Sequence, residues 1–313
     1  MASNNLDVSI VIVSFNTKSL VENCIQSIIE QSINIRYEII VVDNASSDGT
    51  AELIQSLFVN ITLIQNSVNK GFAAANNQGI TIAKGEYVLL LNSDTIILNN
   101  ALDKVHSFIE KHSEISIIGC RQLFESLKLQ PSCRSFPTIW NILTEASFLY
   151  VVLNKTKLFG SYYMTYFKYD RILKVDVVMG SFMFIRKKVF EQIGLLDEKF
   201  FFYSEETDFC YRAAQKKYFT YFYPDAEIIH IGGGSTQNLP WMFEQLHKSQ
   251  YQFINKHFLG YRRMSMIMGK KIGIAVRVPV YFVSGVITFN RLLIEKSSIY
   301  FRLFFMNISV GQN

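Results

Sequence analysis

The chain has 313 residues, of which 49% are hydrophobic and 18% are charged, so it can bury a substantial core and global disorder is excluded. The formal net charge of +5 hides an asymmetry, because residues 248–313 carry ten Lys and Arg but only one acidic residue, Glu295. Basic residues interleaved with apolar ones fit an anionic membrane surface better than nucleic acid.

The N-terminal segment MASNNLDVSIVIVSFN lacks a basic start before a long apolar stretch, so we expect no signal peptide. The four cysteines are scattered without a Cys-x-x-Cys pair. They give no zinc signature and suit a reducing compartment.

Strand and helix patterns alternate along the first third of the chain. Apolar, β-branched runs predict strands at residues 8–14, 37–42, 61–66, 86–92 and 115–120. Helical spacing of apolar residues predicts helices at residues 16–31, 51–58, 73–84 and 99–113. This alternation predicts an α/β fold with a mixed, mostly parallel sheet and helices on both faces.

The pattern weakens after residue 120. Residues 121–174 are rich in aromatic residues without a clear period, and we expect a variable, partly helical region there. Beyond it we predict a strand, a helical turn closed by Gly194, a longer helix, two strands and an irregular GGGST loop, at residues 175–185, 187–192, 205–217, 219–223, 227–231 and 232–236.

Three predicted strands end in polar clusters. The clusters are Ser14-Phe15-Asn16, the run from Asp43 to Gly49, and Asn92-Ser93-Asp94. Ordinary turn and capping chemistry explains each cluster taken alone. In a parallel sheet, however, all three ends lie at one edge, where open α/β sheets bind their ligands. Together they indicate a site in which Asp43 accepts a base N–H and Asp94 holds a divalent cation.

Four blocks in order, VSIVIVSFN, VVDNASSDGT, NKGFAAANNQGI and LLLNSD, resemble the family 2 glycosyltransferases of GT-A fold. The similarity is greatest to the bacterial rhamnosyltransferase-like branch and covers roughly residues 7–235. The resemblance implies that Asp43 contacts the nucleotide base and that the loop from Asn69 to Phe72 lies beside the nucleotide. The nucleotide-binding residues it implies are Ser14, Phe15, Asn16, Asp43, Asn69, Gly71, Phe72, Asn76, Asn92 and Ser93.

The resemblance also implies a DxD-type motif that binds Mg²⁺ or Mn²⁺ on a diphosphate. Asn92 stands where the family motif has its first Asp, which leaves Asp94 as the main anionic ligand. His230 matches a family histidine that completes the metal shell or touches the diphosphate. A lone histidine is also commonly structural, and that alternative stays open.

The segment FFYSEETDFCYR contains the catalytic candidates Glu205, Glu206 and Asp208. On a helix, Glu205, Asp208 and Arg212 share one face, whereas Glu206 points about 100° away. Acidic residues at a helix start also favour the macrodipole, and Asp208 can pair with Arg212 at i+4. The segment resembles the family block E-D-x-D-x-x-x-R, whose second acid is the catalytic base. We therefore expect Glu206 to be the base, with Glu205 as the alternative.

These features predict an inverting glycosyltransferase that uses a dTDP- or UDP-sugar, with rhamnose from dTDP-rhamnose as the expected donor. The resemblance implies a lipid-linked or polysaccharide acceptor in surface-polysaccharide or O-antigen synthesis. Two alternatives remain: a nucleotidyltransferase on a similar sheet, and a non-catalytic nucleotide-binding scaffold at the membrane. A NAD-binding Rossmann protein is excluded because no GxGxxG follows the first strand.

We expect a catalytic domain at residues 1–245, with a nucleotide-binding half to about residue 120 and an acceptor half beyond it. The basic tail, residues 246–313, contains an 18-residue apolar stretch at 272–289. Arg277 lies near its middle, and a central Arg is costly in hydrocarbon. The tail therefore predicts peripheral attachment to the cytoplasmic face of a bacterial membrane. A helical hairpin that packs on the catalytic domain, or that forms a homodimer contact, is the alternative.

Overall fold

The structure is a computed structural model that describes residues 6–232 and 239–305. The chain divides into two compact units. The first unit comprises Met1–Ser135, Phe167–Phe201 and Glu205–Gln237, and the second comprises Phe136–Tyr166, Phe202–Ser204 and Asn238–Asn313. The units do not follow the predicted boundary at residue 245, because residues 136–166 belong with the C-terminal helices.

The first unit is built on a mixed sheet. Its strands in chain order are β1 Val8–Ser14, β2 Tyr37–Asp43, β3 Thr62–Gln65, β4 Tyr87–Asn92, β5 Thr95–Leu98, β6 Ile115–Leu123, β7 Leu129–Gln130, β8 Cys133–Arg134, β9 Leu173–Val175, β10 Val177–Val178, β11 Phe182–Arg186 and β12 Phe219–His230. The spatial order is β3-β2-β1-β4-β11-β6-β12-β5, with β7 on β6 and β9 on β12. β8 and β10 form a small second sheet.

Helices cover the sheet and form most of the second unit. They are α1 Lys18–Gln31, α2 Thr50–Leu57, α3 Phe72–Ile82, α4 Ala101–Glu110, α5 Ile139–Ala146, α6 Leu149–Val152, α7 Lys187–Ile193, α8 Glu205–Gln215, α9 Leu239–His257, α10 Gly260–Ile287 and α11 Arg291–Phe305. The predicted α/β architecture is confirmed, including Gly194 as the residue that closes α7.

β1 is the centre of the parallel part of the sheet. It pairs in parallel with β2 on one side and with β4 on the other, so that Ile10 lies opposite both Ile39 and Leu89. All residues of β4 from Tyr87 to Leu91 are buried. Burial of one large aliphatic side chain contributes about 1.5–3 kcal/mol, which explains why this strand is a continuous apolar run.

Three predicted strands have a different form in the structure. Residues 175–185 do not make one strand, because the chain turns at Gly180 between β10 and β11, with Phe182 N donating to Met179 O. The runs at 219–223 and 227–231 join into β12, whose register shifts between Tyr223 and Glu227. A local irregularity of this kind lets a strand continue past Pro224 and Asp225.

In the second unit, α10 packs against α5 and α11. Arg277 of α10 is buried in this unit, where its Nη1 donates to Gly273 O and its Nη2 donates to Glu145 O. Its guanidinium also lies over the ring of Phe148. The central arginine of the apolar stretch is therefore satisfied by protein groups. Within the described ranges, no helix has the length and hydropathy needed to cross a membrane.

Candidate active site

The carboxyl ends of β1, β2 and β4 lie side by side at one edge of the sheet. Ser14 stands opposite Asp43, and β4 ends at Asn92 along the other side of β1. Ser14 Oγ and Thr17 Oγ1 are 2.8 Å apart, and Thr17 Oγ1 donates to Ser93 Oγ at 3.0 Å. Buried hydroxyls thus tie the first and third polar clusters together.

The loops after β1 and β2 are hydrogen-bonded to each other. Asn16 N donates to Ser46 Oγ at 2.9 Å, and Ser47 N donates to Asn16 Oδ1 at 2.8 Å. Asn16 and Ala45 both have positive φ, 53° and 69°. Each non-glycine residue held at positive φ costs about 1–3 kcal/mol, and such residues cluster at functional sites. Phe15, between the strand and this loop, is half-buried.

Asn44 holds the loop that precedes α3, a role that the sequence analysis did not assign. Its Nδ2 donates to Asn69 Oδ1 at 2.8 Å, and its Oδ1 accepts from Lys70 N and from Asn66 Nδ2. Asn69 Oδ1 in turn accepts from Gly71 N. The loop is therefore fixed by amide hydrogen bonds from the residue directly after Asp43.

Gly71 is required where this loop meets α3. Its φ is +84°, and a Cβ there would lie 2.5 Å from Phe201 O. The next residue, Phe72, donates its N–H to the same carbonyl at 2.7 Å. A Cβ at Gly180 would lie 3.4 Å from the Phe72 ring and 3.9 Å from Glu206 Cβ. The loop before α3 therefore lies close in space to the start of α8.

At the end of β4, Asp94 and His230 face each other. His230 Nε2 lies 3.4 Å from Asp94 Oδ1 and 3.3 Å from Asn92 Nδ2. On the other side of the ring, His230 Nδ1 lies 2.9 Å from Gln130 Oε1. Asp94 and His230 are each 7% exposed. The structure thus brings the two predicted metal ligands together. It also places Gln130 against the opposite side of the His230 ring.

Glu205 and Glu206 begin α8 in different surroundings. Glu205 is buried, which raises its pKa well above the usual range, and the charge of Glu206 raises it further. Burial also raises the pKa of Glu206, although hydrogen bonds and the guanidinium of Arg134 oppose part of that rise. Glu206 is partly exposed, and its Oε1 accepts from Thr207 Oγ1. Burial and the proximity of two carboxyls disfavour ionisation of both at the same time.

Asn76 and Asp208 each hydrogen-bond to a residue one turn away in the same helix. Asn76 Nδ2 donates to Phe72 O, one turn earlier in α3. Asp208 is fully buried and accepts from Arg212 Nε at 2.8 Å, while both Nη atoms of Arg212 donate to backbone carbonyls. For Asp208 this is the ion pair that the sequence left open as its structural alternative.

Within residues 6–232 and 239–305, three buried acceptor oxygens of predicted site residues lack a hydrogen-bond partner. They are Asp43 Oδ1, Asn92 Oδ1 and Glu205 Oε2. An unpaired buried acceptor costs about 1–3 kcal/mol. Buried polar groups are usually paired, so these three mark positions where a ligand N–H, a cation or a proton would be stabilised.

The sequence model described as glycosyl transferase family 2 matches residues 9–194. The chain belongs to this family. The match includes β1, β2, the loop before α3 and the Asn92-Ser93-Asp94 segment, but it ends before Glu205 and His230. The placement of those two residues therefore depends on the geometry given above.

The low-salt glycan biosynthesis hexosyltransferase Agl10 of Haloferax volcanii is 32% identical over 67% of this chain and 62% of its own length. A Mycobacterium tuberculosis N-acetylglucosaminyl-diphospho-decaprenol L-rhamnosyltransferase is 23% identical over 76% of this chain and 81% of its own. Several other curated relatives are matched over only 19% to 43% of their length.

Among solved structures, a Pyrobaculum calidifontis mannosyltransferase in complex with GDP-Man and Mn²⁺ has the same fold. Its TM-score is 0.60 at 14% identity, with 96% of this chain and 86% of that chain covered. The GT-A fold is therefore confirmed.

The described residues contain no group of three His, Cys, Asp or Glu side chains that could hold a metal ion. Asp94 and His230 would supply two ligands, and the unpaired amide oxygen of Asn92 would be a third of a type that Mg²⁺ and Mn²⁺ accept. Mg²⁺ is usually bound through one or two carboxylates together with substrate phosphates. The donor set of this family 2 chain therefore fits a cation whose coordination a substrate diphosphate completes.

Proposed function

We propose that this chain is an inverting glycosyltransferase for cell-surface glycan synthesis, which transfers rhamnose from dTDP-rhamnose to a lipid-linked or polysaccharide acceptor. The three unpaired buried oxygens of Asp43, Asn92 and Glu205 carry the proposal, because a base N–H, a divalent cation and a proton would each satisfy one of them. The relatives from Mycobacterium tuberculosis and Haloferax volcanii, named as a rhamnosyltransferase and a hexosyltransferase, support the sugar-transfer class.

The donor would bind across the carboxyl ends of β1, β2 and β4. Asp43 Oδ1 would accept an N–H of the base, while Oδ2 stays bonded to Ser46 N. The loop that Asn44 holds would lie beside the nucleotide, as the resemblance implies. Asp94, His230 and Asn92 would hold Mg²⁺ or Mn²⁺, which supplies positive charge where the leaving diphosphate gains negative charge.

Glu206 would take the proton from the acceptor hydroxyl as that hydroxyl attacks the anomeric carbon on the face opposite the nucleotide. Its raised pKa suits a base that works near neutral pH. Partial exposure favours Glu206 over the buried Glu205 as the group that meets an acceptor. Asp208 would keep α8 in position through Arg212 rather than transfer a proton.

A mass-spectrometric screen of nucleotide-sugar donors against lipid-linked acceptors, with Mg²⁺ or Mn²⁺ added, tests the proposal. We expect a glycosylated acceptor with dTDP-rhamnose and an inverted anomeric centre. Asp94→Ala should abolish transfer without loss of the fold. Nucleotide binding without transfer of any sugar would instead support the non-catalytic scaffold. Formation of a sugar nucleotide with release of inorganic diphosphate, when a nucleoside triphosphate and a sugar 1-phosphate are supplied in place of donor and acceptor, would support a nucleotidyltransferase.

A further inference from the structure

Gln130 contacts the His230 side chain and its backbone at the same time. Gln130 Oε1 lies 2.9 Å from His230 Nδ1, and Gln130 Nε2 lies 3.4 Å from His230 O. Gln130 forms part of β7, which pairs with β6, and β12 pairs with the other side of the same strand. Pairing with the same strand therefore fixes the position of the Gln130 amide relative to the His230 imidazole.

These two contacts determine which ring nitrogen carries the proton. A backbone carbonyl only accepts hydrogen bonds, so the Gln130 nitrogen must face His230 O. The amide oxygen then faces Nδ1, and because an amide oxygen cannot donate, Nδ1 must carry the hydrogen. In the neutral ring, Nε2 is left with its lone pair.

That lone pair points at the proposed cation ligands. Asn92 Nδ2 lies 3.3 Å from Nε2 and is a donor, whereas Asp94 Oδ1, 3.4 Å away, is an acceptor like Nε2 itself. Two acceptors at this distance repel unless a proton or a cation lies beside them. A histidine that binds a metal commonly donates its other N–H to an oxygen acceptor.

We propose that Gln130 is a positioning residue that holds His230 in the Nδ1–H tautomer and so directs Nε2 toward Asp94 as a ready nitrogen ligand for a divalent cation. This inference deepens the proposed function, since it concerns the cation of the same site. Gln130 lies in residues 121–174, where the aromatic-rich sequence has no clear period.

Three variants separate this role from general stability. Gln130→Glu keeps an oxygen acceptor for Nδ1–H, whereas Gln130→Met is similar in size but has none. Gln78→Met is the matched control, because the Gln78 amide exchanges hydrogen bonds with Asn66 instead. Thermal unfolding of each variant gives the reference for folding.

Two measurements without nucleotide or sugar test the proposal. Nitrogen-15 NMR of metal-free protein at about pH 8, well above the ordinary histidine pKa, reports the tautomer of His230. The His230 signal is assigned by its loss in His230→Gln. Titration with Mn²⁺ alone, followed through the electron paramagnetic resonance signal of the free ion, gives the cation affinity.

We expect the Nδ1–H tautomer in the wild type, in Gln130→Glu and in Gln78→Met, with similar Mn²⁺ affinities. Gln130→Met should lose the tautomer preference and bind Mn²⁺ about 10–100-fold more weakly. A wild-type Nε2–H tautomer, or Gln130→Met with unchanged Mn²⁺ affinity, would overturn the proposal. Both readouts are independent of sugar transfer, so failure of the donor screen and failure of this proposal are distinguishable.

Discussion

At the scale of single residues, the pair Glu205 and Glu206 shows how one helical turn gives two carboxyls different surroundings. Glu205 is buried with one oxygen unpaired, whereas Glu206 is partly exposed and lies near Gly180 beside the Phe72 ring. A base must reach its substrate, so access favours Glu206, and burial raises its pKa, which makes its carboxylate a stronger proton acceptor.

The activities of two matched variants test this assignment. Glu206→Gln should lower kcat by about 10²-fold or more, the usual size of a general-base contribution, with little change in donor affinity. Glu205→Gln removes a buried carboxyl but leaves the base, so its kcat should fall less. Initial rates with a saturating donor and calorimetry with the nucleotide measure the two effects. If Glu205→Gln is inactive and Glu206→Gln is active, the base is Glu205.

The buried carboxyl of Glu205 also predicts a pH dependence of stability. Because its pKa is raised in the folded chain, the folded state binds more protons than the unfolded state above about pH 4.3, the ordinary glutamate pKa. The free energy of unfolding should therefore fall as the pH rises from there toward the raised pKa. Glu205→Gln cannot ionise, so it should gain stability relative to the wild type between about pH 5 and pH 8.

Urea unfolding of both proteins across that pH range measures the difference. Glu198→Gln, on an exposed loop, is a control for loss of a carboxylate elsewhere. If the free energies of unfolding of Glu205→Gln and the wild type change with pH in parallel, ionisation of Glu205 does not destabilise the folded state, and the prediction is wrong.

At the scale of elements, the sequence predicts strands whose partners are equally apolar and misses contacts that depend on distant pairing. β1 and β4 are buried on both faces, so their apolar runs are sufficient evidence. β5 is a four-residue edge strand that exists because β12 pairs with it. Gln130 meets His230 across 100 residues of chain, and nothing local in the sequence indicates this contact.

In the candidate site, too, the residues placed by local sequence could be predicted, and those placed by distant strand pairing could not. The residues of β1, β2 and β4 could be predicted because polar residues directly after buried strands meet at one sheet edge. Asn44 was within reach of the same argument, as it belongs to the second polar cluster. Arg134 was not, because β8 reaches the neighbourhood of Glu206 only through its pairing with β10.

Gly71 and Gly194 provide a matched test of the loop before α3. Both have positive φ, but a Cβ at Gly71 would lie 2.5 Å from a backbone oxygen, whereas a Cβ at Gly194 has no neighbour within 4 Å among the described residues. Gly194→Ala should cost only backbone strain, about 1 kcal/mol. Gly71→Ala should cost at least 1 kcal/mol more and should also weaken nucleotide binding, since the loop must shift from Phe201.

Urea unfolding measures the two stabilities, and calorimetry with dTDP and UDP measures the two affinities. Equal stability losses, with nucleotide affinity unchanged in both variants, would contradict the role given to this loop.

At the scale of the whole molecule, the second unit presents an apolar stripe that is exposed in the part of the chain that the structure describes. α10 turns Met266, Gly273 and Arg277 inward. On its exposed side, apolar residues recur every three or four positions, at Met264, Met268, Ile272, Val276, Val280 and Val283. A helix with this pattern and basic residues beside it is typical of segments that lie in a membrane interface.

We propose that this stripe attaches the protein to the cytoplasmic face of an anionic membrane and so brings it to a lipid-linked acceptor. Lys248 pairs with Glu244, and Arg277 faces Glu145, but most of the ten basic residues from Lys248 onward lack a carboxylate nearby in the sequence. Each basic residue near anionic lipid contributes roughly 1 kcal/mol, and this contribution is screened by salt.

Sedimentation with phosphatidylglycerol vesicles and with phosphatidylcholine vesicles tests the attachment on the full chain. We expect binding to the anionic vesicles at low salt that weakens at high salt. Exchange of the half-buried Lys271 and the exposed Arg291 and Arg302 for Glu should weaken it by about 10²-fold or more, since each exchange removes about 1 kcal/mol. The same exchange at Lys111 and Lys128, exposed on the first unit, is the control and should have little effect. The proposal is wrong if the protein does not bind anionic vesicles at low salt, or if it binds them equally well after the exchange in α10 and α11. The stripe would then form a contact between two copies of the chain, which sedimentation equilibrium would detect.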